Sequence, residues 1–231
     1  MKNIVKFFIA VFCLPLVFFF LKEISVLAWH ITLNFKVALF FIGGGILYLP
    51  LHFFVYDFSR PYVAAHEFTH AIAALFFGYQ VKSVKIKKRS GAVKLNDYNE
   101  AVVLAPYVLP LYFVMCLFVF AVLTYNGFNG EYYKNAYSFV LGFLFSFHIT
   151  HTVITLTEVT QPDLRMAGGV VFSLFCITLF NLLFIMLFIA LIFPENIAVW
   201  PTLKSVFTQT FVFWQKVLNY IIYHVIEILR L

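Results

Sequence analysis

The chain has 231 residues, 63% of them apolar and only 11% charged, with a formal net charge of +6. So little polar surface excludes an ordinary soluble domain of this length, and in so apolar a chain a basic excess marks cytoplasmic loops rather than nucleic-acid binding. The three cysteines, Cys13, Cys116 and Cys176, lie in apolar runs without ligand-like spacing, and their odd number implies no disulfide framework.

Apolar runs of about twenty residues mark candidate membrane spans. The first covers 5–30 and is interrupted by Lys22-Glu23. Its start, MKNIVK followed by an apolar run, is also how a signal peptide begins, but no small-x-small site follows and the apolar character resumes. The second span, 36–56, contains Gly43-Gly44-Gly45, where helices can approach closely. The third, 60–78, carries YVAAHEFTHAIAALFFG.

At 80–96 the period changes from that of a helix to that of a strand. Val84 and Ile86 alternate with lysines, Arg89-Ser90-Gly91 offers a turn, and Val93 and Leu95 flank Lys94. This predicts a β-hairpin. Lys82, Lys85, Lys87, Lys88, Arg89 and Lys94 make it the most basic stretch of the chain, which places it in the cytoplasm by the positive-inside rule. The third span then runs inward, with the N-terminus outside.

Further spans follow at 100–125, 137–157 and 165–193. In the last run, 205–229, Lys216, Asn219, Tyr223 and Glu227 recur at three or four residues. That polar stripe suits either a seventh span packed through it or a helix lying in the interface. The expected fold class is an all-α polytopic membrane protein of six or seven transmembrane helices, with a small β-hairpin after the third. It reads as a single embedded domain over 1–231. Its core is 60–193, its N-terminal spans occupy 5–56, and its C-terminal helix occupies 205–229.

His66, Glu67 and His70 form H-E-x-x-H inside the third run. Ionisable groups within a span cost about 2.5–3.5 kcal/mol each even on insertion scales, which makes them functional-site candidates. Residues four apart on a helix share a face, so the two imidazoles can hold one Zn²⁺. Glu67 projects beside them, within reach of a metal-bound water. The pattern suits metal-assisted hydrolysis. The plain alternative is polar glue between helices.

An embedded HEFTHAIAALFFGYQVKSVKI, then SGAVKL, then LAPYVLP opening the next span, resembles the site-2 protease superfamily of intramembrane zinc metallopeptidases over about residues 60–185. The resemblance implies a single metallopeptidase domain with one catalytic Zn²⁺, Glu67 as its catalytic residue and His66 and His70 as ligands. It also implies an aspartate from a later span, for which Asp163 in TQPDLRMAGG is the candidate. The family's Asn-Pro-x-x-x-x-Asp-Gly surround is not present: Gln161-Pro162 precede this Asp and Leu164-Arg165 follow it. A helix N-cap paired with Arg165 is the other reading of Asp163.

His148 and His151, three apart in FHITHT, can serve as groups that orient a ligand or donate to an oxyanion, as a direct ligand, or as interhelical hydrogen-bonding groups. Asn181 is read as packing glue or an oxyanion contact, and Glu158 as an interfacial charge. Asp57 and Arg60 read as a local ion pair. His30, His52 and His224 stand isolated, as interfacial or packing histidines.

The reading that follows is an intramembrane zinc protease acting on membrane-protein substrates. The hairpin residues Val84, Ile86, Val93 and Leu95 would hold an unwound substrate segment. Expected partners are a membrane-protein or membrane-peptide substrate, the lipid bilayer and a regulatory membrane protein. The expected location is a prokaryotic inner membrane. The alternatives are a non-proteolytic metal-binding protein or metal transporter, a zinc hydrolase of lipidated peptides, and an inactive scaffold.

Overall fold

A computed structural model describes residues 2–31, 35–128, 130–157, 161–192 and 198–229. They fall into two compact units, Thr32–Ser173 and Met1–Ile31 with Leu174–Leu231. Glu158 and the side chain of His30 lie outside the described residues.

The first unit is organised on a helix pair. α2 (Phe35–Pro50) runs into a π-helical turn over Leu51–Val55, and α6 spans Glu131–Thr157. The expected close approach at the triple glycine is present. A Cβ at Gly44 would overlap the Phe139 carbonyl oxygen, and one at Gly142 would overlap that of Phe41. The two backbones therefore touch with no side chain between them. Ser138 Oγ donates to the Val37 carbonyl at 2.9 Å across this seam. The fully buried Tyr48 ring packs edge-on against Phe143 and Phe147.

α3 (Ser59–Phe76) follows the π-turn. It ends where Gly78 takes a left-handed φ of 79°, with Tyr79 N–H donating back to the Ala74 carbonyl at 2.8 Å, a glycine-terminated cap. The expected hairpin is present as β1 (Val81–Ile86) and β2 (Gly91–Leu95), antiparallel, with Val84 opposite Val93 and Ile86 opposite Gly91. Its turn lies at Lys87–Ser90, closed by Lys87 N–H to the Ser90 carbonyl at 2.9 Å, and Gly91 opens the second strand. α4 (Glu100–Val108) and α5 (Leu111–Tyr125) are two helices where one span was expected, bent by 71° about Leu109–Pro110. Proline at 110 has no N–H to continue α4, and Leu109 is extended. α7 (Pro162–Met166) is a single turn begun by proline at its first position, and Gly168 and Gly169 turn the chain with positive φ.

In the second unit α1 (Lys2–Ile31) lies antiparallel to α9 (Val199–Leu229). Phe12 stacks on Trp214, and Glu23 accepts from Ser205 Oγ at 2.8 Å and Gln209 Nε2 at 2.6 Å. The charges that interrupt the first span thus meet polar groups of α9. Of the two readings of the α9 stripe, packing through it is not seen among the described residues: Lys216, Asn219, Tyr223 and Glu227 are exposed. α8 (Val170–Ile192) is apolar apart from Ser173, Thr178 and Asn181.

Six or seven spans were expected. Among the described residues four helices are long and apolar enough to cross a membrane (3–27, 36–55, 131–157 and 170–190), or five if bent α4–α5 counts as one. The stretch at 60–78 does form a helix, but Arg60, His66, Glu67 and His70 dilute its apolar content. The run at 205–229 is helical and amphipathic rather than apolar. The outside placement of the N-terminus took α3 as a crossing, and α3 is not among these four helices.

Candidate metal centre

H-E-x-x-H sits in the middle of α3, and its spacing places both imidazoles on one side of the helix, 4.9 Å apart by ring centroids. Asp163, on α7, arrives opposite them. Its Oδ2 is 3.6 Å from His66 Nε2 and 3.7 Å from His70 Nε2, and the three ligand atoms lie within 4.8 Å of one another. Ligands at 2.0–2.2 Å from a tetrahedral zinc stand about 3.3–3.6 Å apart. The group is therefore close to the spacing that a single ion needs. It is also the one such group of His, Cys, Asp and Glu among the described residues. All three side chains are largely covered, at 13%, 14% and 22% exposure.

The surroundings suit the same chemistry. His70 Nδ1 lies 2.9 Å from the Val102 carbonyl, which can only accept. Nδ1 therefore carries a proton, and Nε2 is the ring nitrogen turned toward Asp163. Within α4 that carbonyl would ordinarily accept from the N–H four residues on. Residue 106 is proline, which has no N–H, so the ladder leaves the Val102 oxygen to His70. At the start of the same helix Asn99 caps the Val102 N–H at 2.9 Å, which fixes this residue's backbone through both its N–H and its carbonyl.

His66 Nδ1 faces the Tyr62 hydroxyl at 3.4 Å, and that hydroxyl accepts from Thr155 Oγ1 at 2.9 Å. The buried Tyr107 hydroxyl donates to Asp163 Oδ2 at 2.8 Å. Burial opposes ionisation of Asp163. The two imidazoles and the Tyr107 hydroxyl outweigh it and hold the carboxyl below the usual carboxylate range. Asp163 thus lies in the first turn of α7 with its side chain directed to these groups, while Gln161 takes the N-cap position.

Glu67 is 7% exposed. The hairpin covers it: a Cβ at Gly91 would overlap the Glu67 Cγ and Oε1 atoms. The hairpin's tip is held by Asp57, whose Oδ2 is 3.5 Å from Lys88 Nζ and 3.3 Å from Arg89. These partners replace the expected Arg60. The Ser59 hydrogen bonds, and after them Arg89, hold the Asp57 carboxyl below its ordinary range.

His148 lines a small pocket beside His66, together with Tyr62, Thr69, Tyr112 and Phe147. His151 is one step removed: it stacks on Tyr62 at 4.6 Å and meets His52 edge-on at 4.8 Å. His52 is therefore not isolated, and its Nδ1 lies 3.1 Å from the Tyr48 hydroxyl. Asn181 donates to the Ile177 carbonyl of its own helix at 2.8 Å. Val84, Ile86, Val93 and Leu95 are half-buried, while the lysines between them are exposed. Tyr62, Tyr107, Gly91 and the Val102 carbonyl were not among the expected site groups.

No protein-family model, no curated protein and no solved structure matches the chain.

Proposed function

We propose that the chain is a zinc metallopeptidase that hydrolyses peptide bonds of membrane-protein substrates within or near the bilayer, as its resemblance to the site-2 protease superfamily implies. The observation that carries this reading is the convergence of His66 Nε2, His70 Nε2 and Asp163 Oδ2 beside the buried Glu67. Two neutral imidazoles and a carboxylate leave a tetrahedral ion one position for water or substrate.

His66, His70 and Asp163 would hold the ion, with Val102, Tyr62 and Tyr107 fixing their orientation. When bound, zinc supplies polarisation of the scissile carbonyl and acidification of water. Glu67 receives the proton that the attacking water gives up and passes it to the leaving amine. His148, which lines the pocket beside His66, would donate toward the carbonyl oxygen. A substrate segment must unwind before its peptide bonds are accessible. The free strand edges of the hairpin offer it main-chain partners, and Val84, Ile86, Val93 and Leu95 offer apolar contacts.

The test uses the purified full-length chain reconstituted in liposomes with single-span membrane substrates. Glu67→Gln is expected to keep its zinc and to lose cleavage by about 10²–10⁴-fold, the usual contribution of a general base. Equal cleavage by both proteins removes Glu67 from the mechanism. A metal carrier, by contrast, has no need of a base beside its imidazoles, and the Glu67→Gln variant of a carrier would transport as well as the wild-type chain.

A further inference from the structure

We infer that Gly91 is the positioning residue for the Glu67 carboxyl, its bare backbone forming the wall against which the carboxyl rests. The inference rests on Glu67 being the catalytic base proposed above. Glycine is commonly used where the backbone takes a positive φ, as it does at Gly78, Gly127, Gly168 and Gly169. Gly91 is not among them. It stands in an ordinary strand, paired with Ile86, where any residue could follow the backbone path. What a side chain there would do is displace Glu67, because its Cβ would overlap Cγ, Cδ and Oε1 of that residue. The glycine is required by close approach rather than by conformation.

Gly91 is itself held in place. The strand register fixes it along the hairpin, and Asp57 anchors Lys88 and Arg89 just before it. Glu67 has a flexible side chain of three rotatable bonds on α3. Left alone it would sample orientations turned away from the metal site. The strand backbone closes one side of the space those orientations would use. A displacement of about 1 Å at a reacting group costs on the order of 10²-fold in rate. One methyl group added at residue 91 is enough to cause such a displacement.

Two measurements test this. The first does not depend on activity. In a full-length chain with Cys13, Cys116 and Cys176 changed to Ala, the pair Glu67→Cys with Gly91→Cys lies within disulfide reach. Under mild oxidation it is expected to lose its thiols at least about tenfold faster than Glu67→Cys with Ala92→Cys, since residue 92 projects to the opposite face of the strand. Equal rates overturn the inference.

The second measurement is rescue. Gly91→Ala is expected to lower cleavage by about 10–100-fold with zinc content and melting temperature retained. Glu67→Asp alone is also impaired, because its carboxyl falls short. Combined, the shorter side chain makes room for the new methyl, and the double variant should exceed Gly91→Ala severalfold. A double variant whose loss is the product of the two single losses overturns the positioning role. Fast disulfide formation with no cleavage by the wild-type chain overturns the peptidase reading instead, and leaves the Gly91 contact standing.

Discussion

The seam between α2 and α6 and the shell around the metal centre use the same residue type for opposite purposes. At the seam, Gly44 and Gly142 let two helix backbones meet, each against the other helix's carbonyl oxygen. At the centre, Gly91 lets a strand backbone meet an ionisable side chain. The seam is closed by rings and dispersion contacts, with the Ser138 hydroxyl bonded across it to the Val37 carbonyl. Around the centre each candidate ligand has a polar partner: Val102 for His70, Tyr62 for His66 and Tyr107 for Asp163. Close packing supplies rigidity in the first region. In the second, hydrogen bonds orient the side chains.

Substitutions that affect one region and spare the other can break this contrast. The largest effect is expected at the seam. Gly142→Val drives a branched side chain into the Phe41 carbonyl, which as backbone cannot yield, and should cost about 3 kcal/mol of stability. The measurement is the thermal midpoint in detergent, and the fraction that remains folded should bind zinc with unchanged affinity. Weakened zinc binding in that fraction would show the two regions to be coupled.

Pro106→Ala is expected to act in the reverse sense. It restores an N–H that competes for the Val102 carbonyl, so His70 loses its fixed tautomer and zinc affinity should fall about 10–100-fold, as for other ligand-orienting partners. Stability should not fall, because proline is the poorer residue inside a helix by about 3 kcal/mol. A metal titration and a melting curve on the same sample would therefore move in opposite directions.

The smallest effect is expected at Asp57→Asn, which loosens the hairpin tip. Amide exchange over residues 87–91 should quicken while zinc content stays the same. Asp57 has a depressed folded-state pKa, set first by Ser59 and then by Arg89. Its contribution is therefore complete above the unfolded carboxyl pKa of about 3.9 and is lost as pH falls below that value. Wild type and variant should differ at neutral pH and converge in acid. Added salt should narrow the difference at neutral pH.

Some of this arrangement is legible in the sequence because it is local. Four-residue recurrence puts His66 and His70 on one face, the alternation around Lys85 and Lys94 marks the hairpin, and three adjacent glycines mark a close helix contact. Other features need the chain to fold back on itself. Tyr107 reaches Asp163 across 56 residues, and nothing around it sets it apart from the other tyrosines of an apolar run. The acceptor for His70 is a main-chain oxygen, which no residue type encodes, although Pro106 was the available signal that one carbonyl of that helix would be free. Gly91 looked like a turn residue because the neighbouring Ser90 and Arg89 do form the turn. Asp57 looked paired with Arg60 by proximity, but the fold brings Lys88 and Arg89 to it instead. Counting apolar runs overestimated the spans where the site's own ionisable groups interrupt them.

The elbow at Leu109–Pro110 governs how far this segment reaches. α4 has nine residues and α5 has fifteen, so they measure about 13 Å and 22 Å along their axes. Laid end to end they would exceed the roughly 30 Å hydrocarbon layer. Turned through 71°, α4 adds only about 4 Å to the reach of α5 and becomes a sideways arm of nearly its full length. That arm brings the Val102 oxygen in laterally to His70 and the Tyr107 hydroxyl to Asp163. A straight helix through the same position would have carried them past the pair.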